Sequence, residues 1–168
     1  MHKSSIEEMK KFFDYLNKQL EPDHCYNILD VGSQDVNGSY KSLIPFRHFG
    51  YIGYDILPGP NVDFIGQPYS MDFRNKTFDI VISGQTMEHV GLPWVWVTEL
   101  IRVLKTNGWL CIIAPHTFKY HTEGGCEDCW RIWPEGMKRL MKFTCPDMQH
   151  VELYRNGTDT VFWGRKVV

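Results

Sequence analysis

The sequence lacks the features that mark membrane-spanning, secreted and nucleic-acid-binding proteins. No apolar run approaches the roughly 20 residues that cross a bilayer, and residues 1–8 hold no hydrophobic signal-peptide core. The net charge is -2 and basic residues form no run, so the positive footprint typical of nucleic-acid binding is missing. We therefore expect a cytoplasmic protein without a nucleic-acid or membrane partner, and the oligomeric state stays open.

The sequence has no even set of cysteines, because the five residues are an odd number. Cys111 lies within an apolar run and is predicted to be a small core residue. Cys126 and Cys129 form one isolated Cys-x-x-Cys pair, whereas a structural zinc ion takes four ligands. His116 and His121 could complete such a set, but two reduced thiols in a loop are the simpler interpretation. No tight structural metal is therefore predicted.

Internal repeats, low-complexity tracts and linkers are also missing. The chain has 168 residues, of which 43% are hydrophobic, so it can bury a normal core. One domain spanning residues 1–168 is expected. Residues 1–21 are expected to form a helix that packs on or caps that domain.

What is present is an alternation of helix and strand patterns. Helices are predicted at 4–20, 40–44, 85–90, 93–105 and 134–143. Strands are predicted at 27–31, 50–55, 62–65, 78–83, 109–114, 149–155 and 159–167. Pro45 is expected to end the 40–44 helix, Asn107-Gly108 the 93–105 helix, and Asn156-Gly157 is expected to form a hairpin turn. This order predicts an α/β fold with a doubly wound, mostly parallel sheet of seven strands that ends in an antiparallel hairpin.

The stretch from Asn27 to Gly38 organises the chain. A short apolar strand breaks there into a loop with two glycines, and glycine allows close approach of a ligand to the backbone. Asp55 ends the next strand about 25 residues after Asp30, near the spacing at which dinucleotide folds place the acid that binds ribose. The pattern favours a nucleoside-bearing cofactor, and the alternative is an ordinary strand and turn followed by a solvated aspartate.

Beyond this stretch, the order of elements resembles a class I S-adenosylmethionine-dependent methyltransferase of the small type-11 branch, with its Rossmann-like sheet and terminal hairpin. The segments that carry the resemblance are Ile28–Gly32, Tyr51–Asp55, Phe78–Val81, Glu88–Val90, Leu104–Gly108, and Trp130-Arg131 with Pro134–Gly136. The chain departs from the usual first motif at Gln34 and Val36, where glycines are common, and Gly38 restores a glycine. Pro68, after the third strand, has no N–H to offer adenine.

The resemblance implies that S-adenosyl-L-methionine is the cofactor. Asp55 would accept the ribose hydroxyls, and the backbone at Gly32 and Ser33 would approach the amino-acid tail. Other residues implied at the cofactor are Asp30 and the Ser83 carbonyl toward the tail, Gly38 in the loop, and Ile56, Gln67 and Tyr69 toward adenine.

The activity implied is methyl transfer to a hydroxyl or amine of an unidentified small molecule. His89 and His116 follow strand ends and are the predicted catalytic bases, with a structural role as the alternative for each. Trp94, Trp96, Trp130 and Trp133 are candidates for the acceptor pocket, and one or two are expected there. The small-molecule acceptor is the partner expected.

Three alternatives stay open at this point. The chain could be a cofactor-binding module that acts through a partner protein, or a dinucleotide enzyme, although the terminal hairpin argues against the latter. Some O-methyltransferases of the superfamily also bind magnesium through Glu-x-x-Glu-His. Here the motif begins with Gln85, a poorer ligand for a hard cation, so no metal is predicted at Glu88 and His89.

Overall fold

A seven-stranded sheet runs through the centre of the molecule. The computed structural model describes residues 3–44, 49–122 and 126–168. The strands are Tyr26–Val31 (β1), Phe49–Asp55 (β2), Phe64–Ile65 (β3), Phe78–Gly84 (β4), Leu104–Pro115 (β5), Gln149–Asn156 (β6) and Asp159–Arg165 (β7). The helices are Lys3–Gln19 (α1), Pro93–Val103 (α2) and Pro134–Thr144 (α3), with short 3-10 turns at Lys41–Leu43 and Met87–His89.

The strand order is β3-β2-β1-β4-β5-β7-β6. Strands β1 to β5 pair in parallel, whereas β7 is antiparallel to both β5 and β6. The predicted mostly parallel sheet with a C-terminal hairpin is confirmed. The chain leaves β1 toward β2 on one side and returns to β4 on the other, so β1 and β4 form the switch point where open α/β sheets bind ligands.

Alternation along the strands places apolar side chains on both faces of the sheet. Ile28 packs on one face with Phe12 and Leu16 of α1. Leu29, its neighbour, packs on the opposite face with Leu100 of α2 and Met137 of α3. Cys111 is fully buried, so its prediction as a core residue is confirmed. Helices therefore cover both faces, which makes the sheet doubly wound.

The helix predicted at 85–90 is wrong, because only the 3-10 turn Met87–His89 forms there. Gln85 adopts a positive φ of 56°, which a helix does not tolerate. Helix α2 also ends earlier than expected, at Val103, and β5 begins at once with Leu104.

Asn107-Gly108 does not stop a helix but lies inside β5. The pairing of β5 with β4 shifts register there, and Asn107 has a φ of 66°. A Cβ on Gly108 would lie 2.8 Å from the carbonyl oxygen of Asp79. The glycine thus belongs to a β-bulge, where close backbone approach requires it.

The predicted hairpin is confirmed, but its turn residues differ by one position. Asn156 pairs with Asp159, so the two loop residues are Gly157 and Thr158, and Gly157 has a φ of 57°. The 40–44 helix is a 3-10 turn, and the predicted end at Pro45 lies outside the described residues. Among the helices described, none is both long and apolar enough to cross a membrane.

Candidate functional site

A cavity of about 540 Å³ opens at the carboxyl ends of β1, β2 and β4. Its walls come from the loop after β1, the end of β2, the segment at 68–69, the turn after β4 and the loop after β5. This is the switch point of the sheet, where the topology leaves a crevice. The volume lies within the range of roughly 300–1,000 Å³ typical of small-ligand sites.

Gly32 shapes the first wall of the cavity. Its φ is 80°, and its amide donates to the Tyr54 carbonyl at 2.8 Å. A Cβ at this position would lie 1.9 Å from Oγ1 of Thr86. Glycine is therefore required for the left-handed turn and for the close approach of the β1 loop to the turn after β4.

Asp55 presents a carboxylate that main-chain amides hold in place. Its Oδ2 accepts from the Gln34 amide at 3.0 Å, and its Oδ1 accepts from the Ile56 amide at 2.7 Å. An ionised carboxylate has about four acceptor sites. The side chain, which lines the cavity, therefore keeps capacity for further donors such as a pair of hydroxyls.

Asp30 lies beneath the loop and is not among the described residues that line the cavity. It is 2% exposed. Its Oδ2 accepts from the Tyr51 hydroxyl at 3.0 Å, while Oδ1 accepts from none of the described residues. Burial raises the pKa of this carboxyl to about 7, against the opposing effect of the Tyr51 hydrogen bond. The Asp30 side chain is thus held by Tyr51 of β2, and its contact with the cofactor stays a prediction.

Three other predicted residues also lie behind the wall of the cavity. The Ser33 hydroxyl donates to the Asn61 carbonyl at 3.1 Å, and the Ser83 hydroxyl donates to the Val31 carbonyl at 2.6 Å. The Gln67 carbonyl accepts from the Tyr54 hydroxyl at 2.9 Å. The described wall is formed instead by their neighbours Gly32, Gly84, Pro68 and Tyr69.

Gly38 and Ile56 do line the cavity, as predicted residues of the cofactor site. The Gly38 amide donates to Oδ1 of Asp35 at 2.8 Å, which closes the loop after β1. Ile56 is 46% exposed and offers an apolar surface next to the Asp55 carboxylate. The wall therefore combines an acceptor for hydroxyls with an apolar patch suited to a flat base.

His89 lines the cavity from the turn after β4. Its Nδ1 lies 2.8 Å from the Glu127 carbonyl. Since a carbonyl only accepts, Nδ1 carries the proton, and Nε2 of the neutral ring keeps a lone pair. Burial holds the pKa of His89 below its usual value, and the Glu127 carbonyl partly opposes this.

His116 is buried against the ring of Trp133, with ring centroids 5.0 Å apart. It is not among the described residues of the cavity wall, so its catalytic role stays a prediction. Of the four tryptophans predicted for an acceptor pocket, Trp96 lines the cavity. Trp94 and Trp130 contact each other edge to face, with ring centroids 6.4 Å apart.

A cluster of polar side chains beside His89 was not predicted from the sequence. Glu88 is fully buried, and burial raises the pKa of its carboxyl to about 8. His121, from the loop after β5, lies with its ring centroid 4.9 Å from that of His89. The loop reaches this place because the Cys129 amide donates to the Glu88 carbonyl at 2.7 Å.

Asp128 and Arg131 hold that loop in shape. The Arg131 guanidinium donates to both carboxylate oxygens of Asp128, at 2.5 and 2.7 Å. Asp128 in turn accepts from the His121 amide at 2.8 Å. The hydrogen bonds from Arg131 hold the pKa of Asp128 well below its usual range. The only hint in the sequence was the Trp130-Arg131 segment.

Comparison with known proteins now identifies the architecture. The model of a family described as "Methyltransferase domain" matches residues 55–112. An uncharacterized methyltransferase of Mycobacterium tuberculosis is 29% identical over 127 residues, covering 67% of this chain and 48% of that protein. The chain thus spans about half the length of the curated relatives it matches.

Solved structures share the fold over nearly the whole chain. The 1,6-didemethyltoxoflavin-N1-methyltransferase of Burkholderia thailandensis, solved with its substrate and S-adenosylhomocysteine, has a TM-score of 0.75 at 11% identity, covering 98% of this chain and 79% of that one. The chain shares the Rossmann-like fold of these methyltransferase structures. A complex between a methyltransferase and the Trm112 activator of Haloferax volcanii has a TM-score of 0.69 at 12% identity, covering 96% and 91%.

The residues of the cavity fit S-adenosyl-L-methionine, the cofactor expected from the sequence. Asp55 has free acceptor capacity for a ribose diol, and Ile56 gives an apolar surface beside it. The glycine loop after β1 leaves backbone accessible at the cavity, where Gly32 and Gly38 form part of the wall. The departures at Gln34 and Val36 do not close the cavity, because both residues line it.

Proposed function

We propose that the chain transfers a methyl group from S-adenosyl-L-methionine to a hydroxyl or amine of a small molecule. The observation that carries this proposal is one cavity whose wall includes both the Asp55 carboxylate and the His89 imidazole. The first side chain suits the cofactor, and the second suits an acceptor that must lose a proton.

The residues of the chain would act mainly by alignment. The cofactor, when bound, supplies a methyl group already activated on a sulfonium. Asp55 and the glycine loop fix the position of the ribose and tail, and the acceptor is held in the rest of the cavity. Alignment of two reactants can lower a barrier by roughly 7–11 kcal/mol.

His89 is the residue that we propose for the acceptor end. Its neutral ring presents an Nε2 lone pair, because Nδ1 is engaged with the Glu127 carbonyl at 2.8 Å. That lone pair can take a proton from the acceptor, or it can bind a metal ion that lowers the pKa of the acceptor. Positioned proton transfer contributes typically 100- to 10,000-fold to a rate.

A small-molecule acceptor is supported by the shape and chemistry of the cavity. Its wall includes the aromatic rings of Trp96, Phe118 and Tyr69, which suit an organic molecule of modest size. The structural neighbour from Burkholderia thailandensis was solved with a small molecule, 1,6-didemethyltoxoflavin, and S-adenosylhomocysteine.

The test is a screen of a metabolite panel with methyl-labelled cofactor. We expect label in one acceptor class with the wild-type chain, and clearly less with Asp55→Ala at a cofactor concentration near the dissociation constant of the wild type. Label carried by Asp55→Ala at the wild-type rate would contradict the assigned geometry.

A cofactor-binding module that works through a partner is the second candidate. It is favoured by the structural neighbour solved in complex with an activator protein. The two are separated by the same screen, since a module would bind the cofactor but label no acceptor until a second protein is added.

A further inference from the structure

We propose that Glu88, His89 and His121 form a binding site for a divalent transition-metal ion of zinc-like preference. One ligand atom from each residue lies within 4.8 Å of the other two. His89 and His121 also line the cavity, so an ion held here would reach the space proposed for the acceptor. The role given to the ion below rests on the proposed function, whereas its binding does not.

The burial of Glu88 is the first independent observation that points to a bound cation. The residue is 0% exposed, and neither carboxylate oxygen accepts a hydrogen bond from another described residue. Its nearest described charge partner of this cluster is Nε2 of His89, 3.9 Å from Oε1. Burial of an unpaired carboxylate is costly, and buried charges are usually paired or bound to metal.

The two histidines are oriented as metal ligands usually are. His89 has Nδ1 at 2.8 Å from the Glu127 carbonyl, and His121 has Nδ1 at 3.3 Å from the Lys119 carbonyl, with Oδ2 of Asp128 also 3.3 Å away. A hydrogen bond at one ring nitrogen fixes the tautomer and leaves the other nitrogen free to bind a metal. Asp128 is itself fixed by the paired hydrogen bonds of Arg131.

The donor set selects the class of metal. Two imidazoles and one carboxylate form the set of three protein ligands that leaves a fourth position open on a catalytic zinc ion. Magnesium prefers oxygen ligands instead. Gln85 is engaged elsewhere through its Nε2, which donates to Oδ1 of Asp159 at 3.1 Å.

This proposal differs from the prediction of no metal made from the sequence. That prediction considered Glu88 and His89 with Gln85, and the pair of cysteines with His116 and His121. No pattern in the sequence predicts that His121 reaches the turn after β4. That contact depends on the loop after β5, whose backbone docks on the Glu88 carbonyl.

An ion at this site would act on the acceptor. A hydroxyl or amine bound at the open position would have its pKa lowered by the positive charge. Its proton would then pass to solvent or a buffer base, and its lone pair would face the methyl group. In this arrangement His89 is a metal ligand, and it does not take the proton itself.

The experiment is metal binding to the whole chain after removal of ions with a chelator. Zinc is titrated by calorimetry, without cofactor or acceptor, into the wild-type chain and into His121→Ala, His89→Ala and Glu88→Gln, each checked for fold by circular dichroism. We expect one zinc per wild-type chain and a loss of affinity above about 100-fold in each ligand variant. The outer partner variant Asp128→Asn should lose about 10- to 100-fold.

Two controls separate this site from other donors. His24→Ala removes an exposed histidine before β1, and the double variant Cys126→Ser, Cys129→Ser removes the thiols. Both should bind zinc as the wild type does. Zinc binding that survives His121→Ala and His89→Ala, or that disappears with the two cysteines, would overturn the proposal, as would a wild-type chain that binds no zinc.

The outcome is independent of the proposed function. If methyl transfer proceeds at the full rate in chelator, the role given to the ion fails and the proposed function stands, while the binding site is judged by the titration alone. If zinc binds at Glu88, His89 and His121 but no acceptor is ever labelled, the site stands and the proposed function fails.

Discussion

At the scale of single residues, Asp55 shows how main-chain amides can prepare a carboxylate for a ligand. Two amides orient it, at 3.0 and 2.7 Å, and Asp55 takes part in none of the ion pairs among the described residues. We predict that Asp55→Ala weakens binding of S-adenosylhomocysteine by about 10- to 150-fold, since a charged hydrogen-bond partner contributes about 1.5–3 kcal/mol. Calorimetry measures this directly.

The control for Asp55 is Asp147→Ala, at an exposed aspartate outside the cavity wall. It should leave the affinity unchanged. Asp55→Asn keeps one acceptor oxygen and should fall between the two. Equal affinity in wild type and a folded Asp55→Ala would remove Asp55 from the ribose site.

Asp30 gives a prediction for stability against pH. Burial raises the pKa of its carboxyl from 3.8 to about 7, so the folded state binds more protons than the unfolded state between about pH 4 and 7. The free energy of unfolding must therefore fall as pH rises through that window, by up to about 4 kcal/mol from this group. Asp30→Asn, which keeps an acceptor for Tyr51, should lose this part of the fall.

The measurement is urea unfolding of wild type and Asp30→Asn at a series of pH values. The difference between the two chains isolates Asp30 from Glu88, whose carboxyl shifts in the same direction. A difference that stays constant from pH 4 to 7.5 would show that Asp30 titrates normally. Asp147→Asn serves as the matched exposed aspartate.

Residues at strand ends could be assigned from the sequence, and residues in loops could not. Asp55 and Gly32 end or follow strands, so their position at the cavity follows from strand direction alone. The Ser83 hydroxyl donates to the Val31 carbonyl, and the contact predicted for the Ser83 carbonyl stays a prediction. His121 lies in an irregular loop, whose path depends on long-range contacts that no periodicity encodes.

At the scale of elements, the long apolar strands were well predicted, whereas the segments at 85–90 and around Asn107-Gly108 were not. The pair Asn107-Gly108 was interpreted as a helix end because local sequence gives the same signal for a helix end and a bulge. The choice is made by the pairing of β5 with β4, which is a tertiary contact. The 85–90 segment likewise forms no α-helix, because Gln85 adopts a left-handed conformation.

The bulge of β5 leads to a prediction with a control in the same chain. A Cβ on Gly108 would lie 2.8 Å from the Asp79 carbonyl oxygen and 2.9 Å from that of Lys105. Since backbone yields little, Gly108→Ala should lower the free energy of unfolding by about 1–3 kcal/mol. Urea unfolding, with unchanged slope, measures the loss.

Gly136→Ala is the matched control for Gly108→Ala. Gly136 lies in α3, and a Cβ there would meet nothing within 4 Å. Alanine in a helix is favoured over glycine by about 0.5–1 kcal/mol, so this variant should be neutral or slightly more stable. If both alanine variants behave alike, the close approach in the bulge does not limit the residue at 108.

At the scale of the whole molecule, the cavity joins elements that are distant in the chain. The loop after β1, the end of β2 and the turn after β4 meet there, and each is anchored to a strand of one continuous sheet. A ligand that contacts all three binds only the folded chain. The stability of the whole fold must therefore depend on that ligand, which gives a test of the cofactor class without knowledge of the acceptor.

We predict that S-adenosylhomocysteine stabilises the chain and that a nicotinamide dinucleotide does not. At about 100 times its dissociation constant, a ligand that binds only the folded state adds about 2.7 kcal/mol. For a chain of this size that corresponds to a rise in Tm of about 5–11 °C. Thermal unfolding followed by circular dichroism measures it, and Asp55→Ala at the same ligand concentration should show a clearly smaller rise. A rise in Tm with the dinucleotide and none with S-adenosylhomocysteine would favour a dinucleotide enzyme. Asp55 would accept from a ribose diol in either case. Only the rest of the cavity distinguishes an amino-acid tail from a second nucleotide.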